Sequence, residues 1–321
     1  MKWILLLSLF CTWNKSYSQT TSIPDANFEQ ILIAMGIDSG SPDGSVPTSA
    51  IDTVDYLYLT GYNISDMTGI QDFIALETLT CEANPINSID LTNNFNLRQL
   101  FISHCDLTSL DLSSNYLLDH VNCSYNELQS LDLSNNQILE TFSCRNNPIS
   151  TIDFSNNPII WWIDCSFNSL MNLDISQNNN LLILDVESNQ LTQLDVSHCD
   201  TLISLYCNDN LLQCLNLKNG NNDNPMNLKA ANNPFLECIE VDNPTWATAN
   251  WTVATGNVDP TVTFSNYCNN TCSTGIEELN LKQKELIQVY NLLGQEIGFE
   301  YKGLIIRLYS DGTVDKTFKT E

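Results

Sequence analysis

Basic residues are scarce in this sequence. The 321 residues include 12 Lys and Arg against 38 Asp and Glu, which gives a formal net charge of −26 at pH 7. Between residues 19 and 275 the basic side chains are those of Arg98, Arg145, Lys218 and Lys229. A protein that binds a phosphate backbone needs clustered Lys and Arg to neutralise several phosphates. We therefore expect no nucleic acid partner.

Residues that commonly carry out acid–base catalysis are also few. The three histidines, His104, His120 and His198, occupy different positions of the repeat described below. No nucleophile motif of Ser or Cys and no Gly-rich phosphate loop accompanies them. His120 follows Asp119, which is most simply a surface pair. The sequence therefore predicts that the protein is not an enzyme and needs no cofactor.

Long apolar runs are missing after the N-terminus, so we expect no transmembrane segment. The first 18 residues combine Lys2, an apolar segment of about ten residues, and small residues at Ser16 and Ser18. This pattern is typical of a secretory signal peptide. We expect cleavage after Ser18 and an exported mature protein.

A pattern with a period of 21 residues occupies residues 76 to 217. Two apolar columns and one polar column recur in register in seven copies, and each column changes little along the chain. The columns are Leu79, Leu100, Val121, Phe142, Ile163, Leu184 and Leu205; Cys81, Ile102, Cys123, Cys144, Cys165, Val186 and Cys207; and Asn84, Cys105, Asn126, Asn147, Asn168, Asn189 and Asn210. Such a period predicts a solenoid, in which each copy buries its apolar side against its neighbours.

A shorter pattern is nested in each copy. It alternates an apolar, a polar and an apolar residue, beginning with Ile89, Asp90 and Leu91 and ending with Leu215, Asn216 and Leu217. This alternation predicts a short strand. We therefore expect a mainly β solenoid (α+β overall) with two narrow parallel sheets, one per half-repeat, on either side of a core of Leu, Ile and Cys.

The unit reads L-x-x-L-x-[CIV]-x-x-[NC]-x-L, followed by x-x-[IL]-D-[LFIV]-[ST]-x-N. It resembles the leucine-rich repeat family in its short 21-residue bacterial form, over roughly residues 54 to 241. The copy that begins at Leu57 is spaced 22 residues from the next and resembles the internalin-type repeat. The resemblance implies a leucine-rich repeat coil that acts as a non-catalytic binding scaffold, and we expect a monomer.

Both ends of the array have sequences of their own. Residues 19–53 include a predicted helix with Pro24 near its first turn and Gly36 at its end, which we expect to cap the coil. Residues 242–275, which contain Trp246, Trp251 and Phe264, resemble the C-terminal cap of secreted Bacteroidota repeat proteins, where aromatic side chains cover the last core layer.

Residues 276–321 form a separate module. They contain strands of alternating polarity, and the second strand turns at Asp311 and Gly312. The segments VYNLLGQEI and GLIIRLYSDGTVDKTFK resemble the C-terminal sorting domain of type IX secretion cargo, although the usual first strand with its Asn-Pro turn is absent. The resemblance implies the type IX secretion machinery as a partner and a secreted or outer-membrane surface location.

The cysteines fall into two groups. We expect those of the inward column to be core thiols, although their spacing also allows disulfides between copies, such as Cys123 to Cys144. A column of sulfurs without C-x-x-C pairing does not suit zinc. Four cysteines near the C-terminal cap favour disulfides in an exported protein, namely Cys214, Cys238, Cys268 and Cys272. The family resemblance implies the pair Cys238–Cys268, with Cys214–Cys238 as its competitor.

One outward-facing side of the predicted coil, which we call a flank, carries nearly the same residue in every copy. Six half-repeats place an aspartate outward, and these residues, the aspartate row, are Asp90, Asp111, Asp132, Asp153, Asp174 and Asp195. Carboxylates about 4.8 Å apart repel each other by roughly 0.9 kcal/mol in water. Hydrogen bonds from neighbouring hydroxyls and turn amides are the favoured explanation of how this repulsion is offset. Bound Ca²⁺ at Asp111, Asp132 and Asp153 is the alternative.

The other flank changes at every copy. Its central outward column is Thr80, Phe101, Asn122, Ser143, Asp164, Asp185 and Tyr206. Exposed aromatic side chains near an arginine are typical of binding hot spots. We therefore predict that a protein or glycan binds to Phe101, Tyr125, Arg145, Trp162, Phe167 and Tyr206, and that only one of Trp161 and Trp162 points outward. The alternative is a structural adhesin or surface spacer without a discrete ligand site.

Overall fold

The computed structural model describes residues 19–221, 226–269 and 272, together with the backbone of three strands between residues 286 and 319. The predicted signal peptide lies outside the described residues. The chain divides after residue 272 into two compact units. No helix within the described part of the chain is long and apolar enough to cross a membrane.

A nine-stranded parallel sheet runs along the first unit, and we call it the variable sheet. Each strand has three residues, of which the central apolar one is buried and its neighbours face outward. In the register of the sheet, Leu79 lies between Leu57 and Leu100. The strands are Tyr56–Tyr58, Thr78–Thr80, Gln99–Phe101, His120–Asn122, Thr141–Ser143, Trp162–Asp164, Ile183–Asp185, Ser204–Tyr206 and Asn227–Lys229.

A second parallel sheet has four strands, Gln193–Asp195, Cys214–Asn216, Cys238–Glu240 and Thr263–Ser265. Two parallel sheets were expected, but this one covers only the last turns of the coil. The half-repeats from Ile89 to Ile175 are not strands. In those turns side-chain amides, rather than strand backbone, supply hydrogen bonds between neighbouring turns, as described next.

Two ladders of buried asparagines connect successive turns. In the first ladder, Asn126 donates from Nδ2 to the carbonyls of Ile102 and Cys123, both at 2.9 Å. Its Oδ1 accepts from the backbone N–H groups of Cys105 and Leu107, both at 3.0 Å. Equivalent bonds recur along the array at Asn84, Asn147, Asn168, Asn189 and Asn210. Backbone groups that face the interior of the turns are therefore satisfied by side chains.

The second ladder lies in the other half of each repeat. Asn115 donates from Nδ2 to the carbonyl of Asn94 at 2.9 Å, and Asn136 donates to that of Asn115 at the same distance. Five members have a buried Oδ1 without a hydrogen-bond partner among the described residues: Asn94, Asn115, Asn136, Asn157 and Asn178. At Cys199 a thiol takes the place of the asparagine: its Sγ donates to the carbonyl of Asn178 at 3.7 Å, and Asn219 donates to the carbonyl of Cys199 at 2.9 Å. The paired strands of the second sheet begin at this turn. The 21-residue period, the buried columns and the nine-stranded parallel sheet confirm the predicted solenoid, whereas the second sheet is shorter than predicted.

The N-terminal cap contains the predicted helix, Ala26–Ala34. Its N-cap Asp25 accepts from the N–H groups of Asn27 and Phe28, and its second carboxylate oxygen accepts from the N–H of Ser65 at 2.8 Å. Phe28 is buried and stacks on Phe73 at 6.1 Å between ring centroids. The cap also contains Thr20–Ser22 paired antiparallel with Ser45–Pro47, and the short helix Thr48–Ile51. A 3-10 helix, Ile70–Asp72, follows in the first copy of the repeat.

Aromatic residues cover the last turn at the other end. The helix Pro244–Asn250 is followed by Trp251, which is buried, contacts Phe264 at 5.9 Å between ring centroids, and donates from Nε1 to the carbonyl of Met226 at 3.2 Å. Cys238 is disulfide-bonded to Cys268, the pair that the resemblance implies. Cys214 pairs with Cys272, so the competing pair Cys214–Cys238 is wrong.

The remaining cysteines of the described residues are buried thiols, including the inward column from Cys81 to Cys207. Burial raises the pKa of the Cys123 thiol well above its usual value. No disulfide joins Cys123 and Cys144, which agrees with the expectation of core thiols.

The second unit contains a three-stranded antiparallel sheet of Leu286–Asn291, Gly303–Tyr309 and Val314–Lys319. The small C-terminal antiparallel module is thereby confirmed. The predicted turn at Asp311 and Gly312 lies outside the described residues.

Candidate ligand-binding surface

The variable sheet presents outward side chains that differ from turn to turn. Adjacent strands place Phe101 next to Asn122, and Asp164 next to Asp185, in the same outward column. A loop follows each strand and carries two further positions before the buried asparagine of the first ladder. Arg145 and Ser166 occupy the first of these positions, where Arg145 is partly exposed and Ser166 is buried, and the aromatic residues discussed next occupy the second.

Four side chains in these loops form a continuous cluster, which we call the Tyr125 cluster. The ring of His104 stacks on that of Tyr125 at 4.2 Å between centroids, with an interplanar angle of 15°. Arg145 donates from Nε to the hydroxyl of Tyr125 at 3.2 Å. Its guanidinium carbon lies 4.4 Å from the ring centroid of Phe167. Three of the six predicted binding residues therefore lie together.

His104 is the member that sequence reasoning missed. It was considered only as a catalytic group, although it lies one repeat before Tyr125 and occupies the same position of the unit. That spacing was the signal that identifies it, because residues one repeat apart lie on neighbouring turns.

The backbone of the aromatic members is left-handed. The φ angles of His104, Tyr125 and Phe167 are 55°, 55° and 56°. Left-handed backbone is uncommon for bulky residues and costs about 1–2 kcal/mol. The same conformation recurs in every turn from Ala83 to Asp209, so the coil itself imposes it. The side chains of Tyr125 and Phe167 therefore project from a backbone that is fixed by the repeat, and they are 40% and 39% exposed.

The other three predicted residues lie elsewhere on the variable sheet. Phe101, Trp162 and Tyr206 are partly exposed, and Tyr206 accepts a hydrogen bond at its hydroxyl from Asn227 Nδ2 at 2.7 Å. Trp161 is partly exposed as well as Trp162, so the expectation that only one of them points outward is wrong.

Acidic side chains lie beside the Tyr125 cluster. The pKa of Asp185 is raised to about 6, chiefly by burial and also by the charges of Asp164 and Glu187, while the backbone N–H of Glu187 and the charge of Arg145 oppose the shift. Ser166, whose hydroxyl accepts from Arg145 Nη1 at 2.7 Å, also donates its N–H to Asp164 at 3.0 Å. One arginine, two aromatic rings and three carboxyl groups thus occupy a single region of the sheet.

The pair of Asp119 and His120 is held by a third residue. His120 contacts Asp119 through Nδ1, and Arg98 donates to the other carboxylate oxygen of Asp119 from Nε at 2.9 Å. Arg98 and Asp119 thus form an ion pair where the chain enters two central strands of the variable sheet.

The aspartate row lies on the opposite flank of the repeat and is bound locally. Asp111 accepts the backbone N–H of Ser113 at 2.9 Å, and Asp132 and Asp153 accept those of Ser134 and Ser155 at 2.9 and 2.8 Å. Hydrogen bonds from the hydroxyl and the backbone N–H of Ser113 lower the pKa of Asp111, and those from the backbone N–H and the hydroxyl of Ser134 lower the pKa of Asp132. Within the described ranges, no group of three or more His, Cys, Asp or Glu is arranged to hold a metal ion.

No protein-family model matches this sequence, and no curated protein matches it. Among solved structures, the functional domain of InlJ from Listeria monocytogenes, which includes a cysteine ladder, is 22% identical over 78% of this chain and 72% of its own, with a TM-score of 0.32. Internalin C2 from the same organism is 17% identical over 78% and 100%, with a TM-score of 0.47. A leucine-rich repeat protein of Leptospira interrogans is 20% identical over 44% and 45%, with a TM-score of 0.38.

Proposed function

We propose that this protein is an exported, non-catalytic leucine-rich repeat protein that binds a protein or glycan at a bacterial cell surface through its variable sheet. The observation that carries the proposal is the contact series from His104 through Tyr125 and Arg145 to Phe167. It lies on the flank whose residues change at every turn, where the repeat does not dictate their identity.

The geometry of the cluster suits recognition. Arg145 is held by two hydrogen bonds and by the ring of Phe167, and the aromatic residues stand on fixed backbone. A side chain that is already ordered loses less conformational entropy when a ligand binds. Aromatic rings and arginine are also the side chains most enriched in binding hot spots. A ligand that offers apolar surface with hydrogen-bonding groups, such as a protein loop or a sugar, fits this combination.

Export is supported by three features. The N-terminal sequence has the pattern of a signal peptide, and the segments around residues 286–319 resemble a type IX sorting domain. Two disulfides close the C-terminal cap, and such bonds persist in oxidising compartments outside the cytosol. The proposal includes a Bacteroidota-type source, the type IX secretion machinery as a partner, and a monomeric chain at the outer-membrane surface or in the medium.

A structural role is the second candidate. The aspartate row and the two asparagine ladders repeat almost unchanged, and this uniformity is what a soluble, extended spacer or adhesin stalk requires. A spacer needs no discrete site, so it makes no use of the Tyr125 cluster. The two candidates therefore differ in the consequence of altering that cluster.

The experiment compares the wild-type protein with the triple variant Tyr125→Ala, Arg145→Ala, Phe167→Ala as baits for cell-surface extracts and on a glycan array. The binding proposal expects a ligand that the wild type retains and the triple variant loses. A matched control is Met171→Ala, because Met171 is exposed but lies outside the variable sheet. Equal retention by all three proteins, or no retained ligand, would favour the spacer.

Localisation is tested separately. Culture of the source bacterium is fractionated into outer membrane and medium, and the termini of the mature protein are determined by mass spectrometry. We expect the N-terminus at Gln19 and recovery outside the cytoplasm. A full-length chain in the cytoplasm would contradict the proposed export while leaving ligand binding open to its own test.

A further inference from the structure

A row of exposed apolar side chains runs along the loops that precede the variable sheet. These residues are between 40% and 56% exposed, and they lie on five consecutive turns. We call them the apolar stripe, and its members are Ile74, Phe95, Tyr116, Leu117, Ile138 and Ile159. Single exposed apolar residues are ordinary on a protein surface, but a contiguous row of them marks an interaction site.

The second asparagine ladder shows that the row is contiguous. Asn94 donates from Nδ2 to the carbonyl of Phe73 at 3.0 Å, and Asn115 donates to the carbonyl of Asn94 at 2.9 Å. The next residues along the chain are Ile74, Phe95 and Tyr116, so these three lie side by side on neighbouring turns.

The same ladder places the remaining members of the apolar stripe on neighbouring turns, one residue later in the repeat. Asn136 donates to the carbonyl of Asn115, and Asn157 to that of Asn136, both at 2.9 Å. Two residues after each of these asparagines, the chain carries Leu117, Ile138 and Ile159. The stripe therefore shifts by one residue position at the turn that contains both Tyr116 and Leu117.

Acidic residues flank the stripe on both sides. Five members of the aspartate row, including Asp111 and Asp132, lie four residues before the asparagines of the second ladder and are exposed. On the other side the exposed residues include Glu77 and Glu140. The one basic side chain in this flanking column, that of Arg98, is already paired with Asp119.

We propose that the apolar stripe is a docking surface for a protein segment that presents a row of apolar side chains flanked by lysine or arginine. Such a segment covers the stripe and brings cations to both acidic flanks. The length of the stripe is about 19 Å, because it spans four steps of about 4.8 Å, and about 13 residues of an amphipathic helix match it.

The acidic residues beside the apolar stripe argue against two other binding partners, a second copy of this chain and an anionic lipid surface. A second copy of this chain carries the same excess of acid, 38 Asp and Glu against 12 Lys and Arg, and would bring like charges together. An anionic lipid surface would be repelled by the same flanks. A basic amphipathic segment is the occupant that satisfies both the apolar row and the charges.

The test uses a labelled 14-residue peptide with one row of leucines flanked by lysines, titrated with the full-length protein. Control peptides replace every Lys by Glu, or every Leu by Ser. We expect binding of the first peptide alone, weakened by salt. The double variant Phe95→Ser, Ile138→Ser should weaken it about tenfold or more, as the loss of two anchoring contacts implies. Met171→Ser and Phe167→Ser should leave it unchanged.

Four outcomes would overturn the inference. They are equal binding of the Lys and Glu peptides, equal binding by the wild type and the double variant, stronger binding to phospholipid vesicles than to the peptide, and a dimer of the protein alone that the double variant dissociates. Thermal unfolding of each variant establishes that it is folded. Because Phe167→Ser disables the Tyr125 cluster and the double variant does not, failure here is distinguishable from failure of the proposed ligand binding.

Discussion

Arg145 lies over the ring of Phe167, with its guanidinium carbon 4.4 Å from the ring centroid. The two residues belong to successive loops, and Phe167 adopts a left-handed backbone with φ of 56°. Arg145 also donates to the hydroxyl of Tyr125 on the preceding turn at 3.2 Å. A single cation therefore holds together aromatic side chains from two turns of the coil, at the place where we propose that a ligand binds.

This contact predicts a measurable coupling energy. In a double-mutant cycle of Arg145→Met and Phe167→Leu, the free energies of unfolding should be non-additive by about 0.5–1 kcal/mol, the usual strength of an exposed cation–π contact. Arg145→Met paired with Tyr206→Leu serves as the control and should be additive. Additivity in both cycles would show that the arginine does not stabilise the cluster.

The asparagine ladders predict unequal stability losses. Asn126→Ala should lower the free energy of unfolding by about 2–4 kcal/mol, because it leaves backbone carbonyls and two N–H groups buried without partners. Asn136→Ala should cost less, because only its Nδ2 has partners among the described residues. Chemical denaturation measures both variants. A larger loss for Asn136→Ala would mean that its Oδ1 has a partner such as ordered water.

Ala83 predicts a gain of stability. Its φ is 54°, where an L-residue is strained by about 1–2 kcal/mol and glycine is not. Ala83→Gly should therefore raise the melting temperature, whereas Ala75→Gly, in the same turn and without positive φ, should lower it. A lower melting temperature for both variants would show that the unfolded-state entropy of glycine exceeds the strain that is relieved.

The raised pKa of Asp185 predicts that the stability gained by substituting this residue depends on pH. Its pKa is raised from 3.8 to about 6 in the folded chain, so the stability that its neutral form contributes is present below about pH 4 and is lost as the pH rises through about 6. Asp185→Asn should therefore be more stable than the wild type at pH 7.5, and the difference should vanish at pH 4.

A control with the opposite sign is Asp111→Asn. The pKa of Asp111 is lowered by its bonds from Ser113, so its contribution is present above its usual pKa and is lost as the pH falls. This variant should be no more stable than the wild type at pH 7.5. Melting curves at several pH values measure both variants. A stabilisation by Asp185→Asn that does not change between pH 7.5 and pH 4 would contradict the assigned titration.

The aspartate row predicts no strong calcium effect. Each carboxylate already accepts a backbone N–H two residues along the chain, as in Asp132 and Asp153. Addition of millimolar Ca²⁺ should therefore shift the melting temperature by less than about one degree, because only a ligand that binds the folded state raises it. A larger rise that Asp111→Asn, Asp132→Asn abolishes would establish a calcium site at the row.

The regular part of the fold was predictable because one period governs it. Leu79, Leu100 and Val121 take the same place in the sheet as they do in the repeat, so in-register strands follow from the spacing. The short extent of the second sheet was not predictable. Its pattern is the same in the half-repeats of Asp111 and Asp195, and whether backbone or side-chain groups join the turns depends on three-dimensional geometry.

The candidate site was predictable only in part. Tyr125, Arg145 and Phe167 were found because they vary and are aromatic or cationic. His104 was missed because it was weighed only as a catalytic group, although its position one repeat before Tyr125 places the two rings on neighbouring turns, where they stack. The disulfide from Cys214 to Cys272 joins residues 58 positions apart, one in a half-repeat and the other beyond the array, so no spacing rule assigns it.

Asn257 of the C-terminal cap donates from Nδ2 to the backbone carbonyl of Leu228, and the backbone carbonyl of Asn257 accepts the N–H of Ala230 at 2.7 Å. The cap thus binds the final turn by the same chemistry that joins one turn to the next. The number of turns can consequently change by gene duplication or deletion, because removing residues 126–146 or copying them leaves the contacts of both caps intact. The molecule is suited to evolving a longer or shorter reach without redesigning its ends.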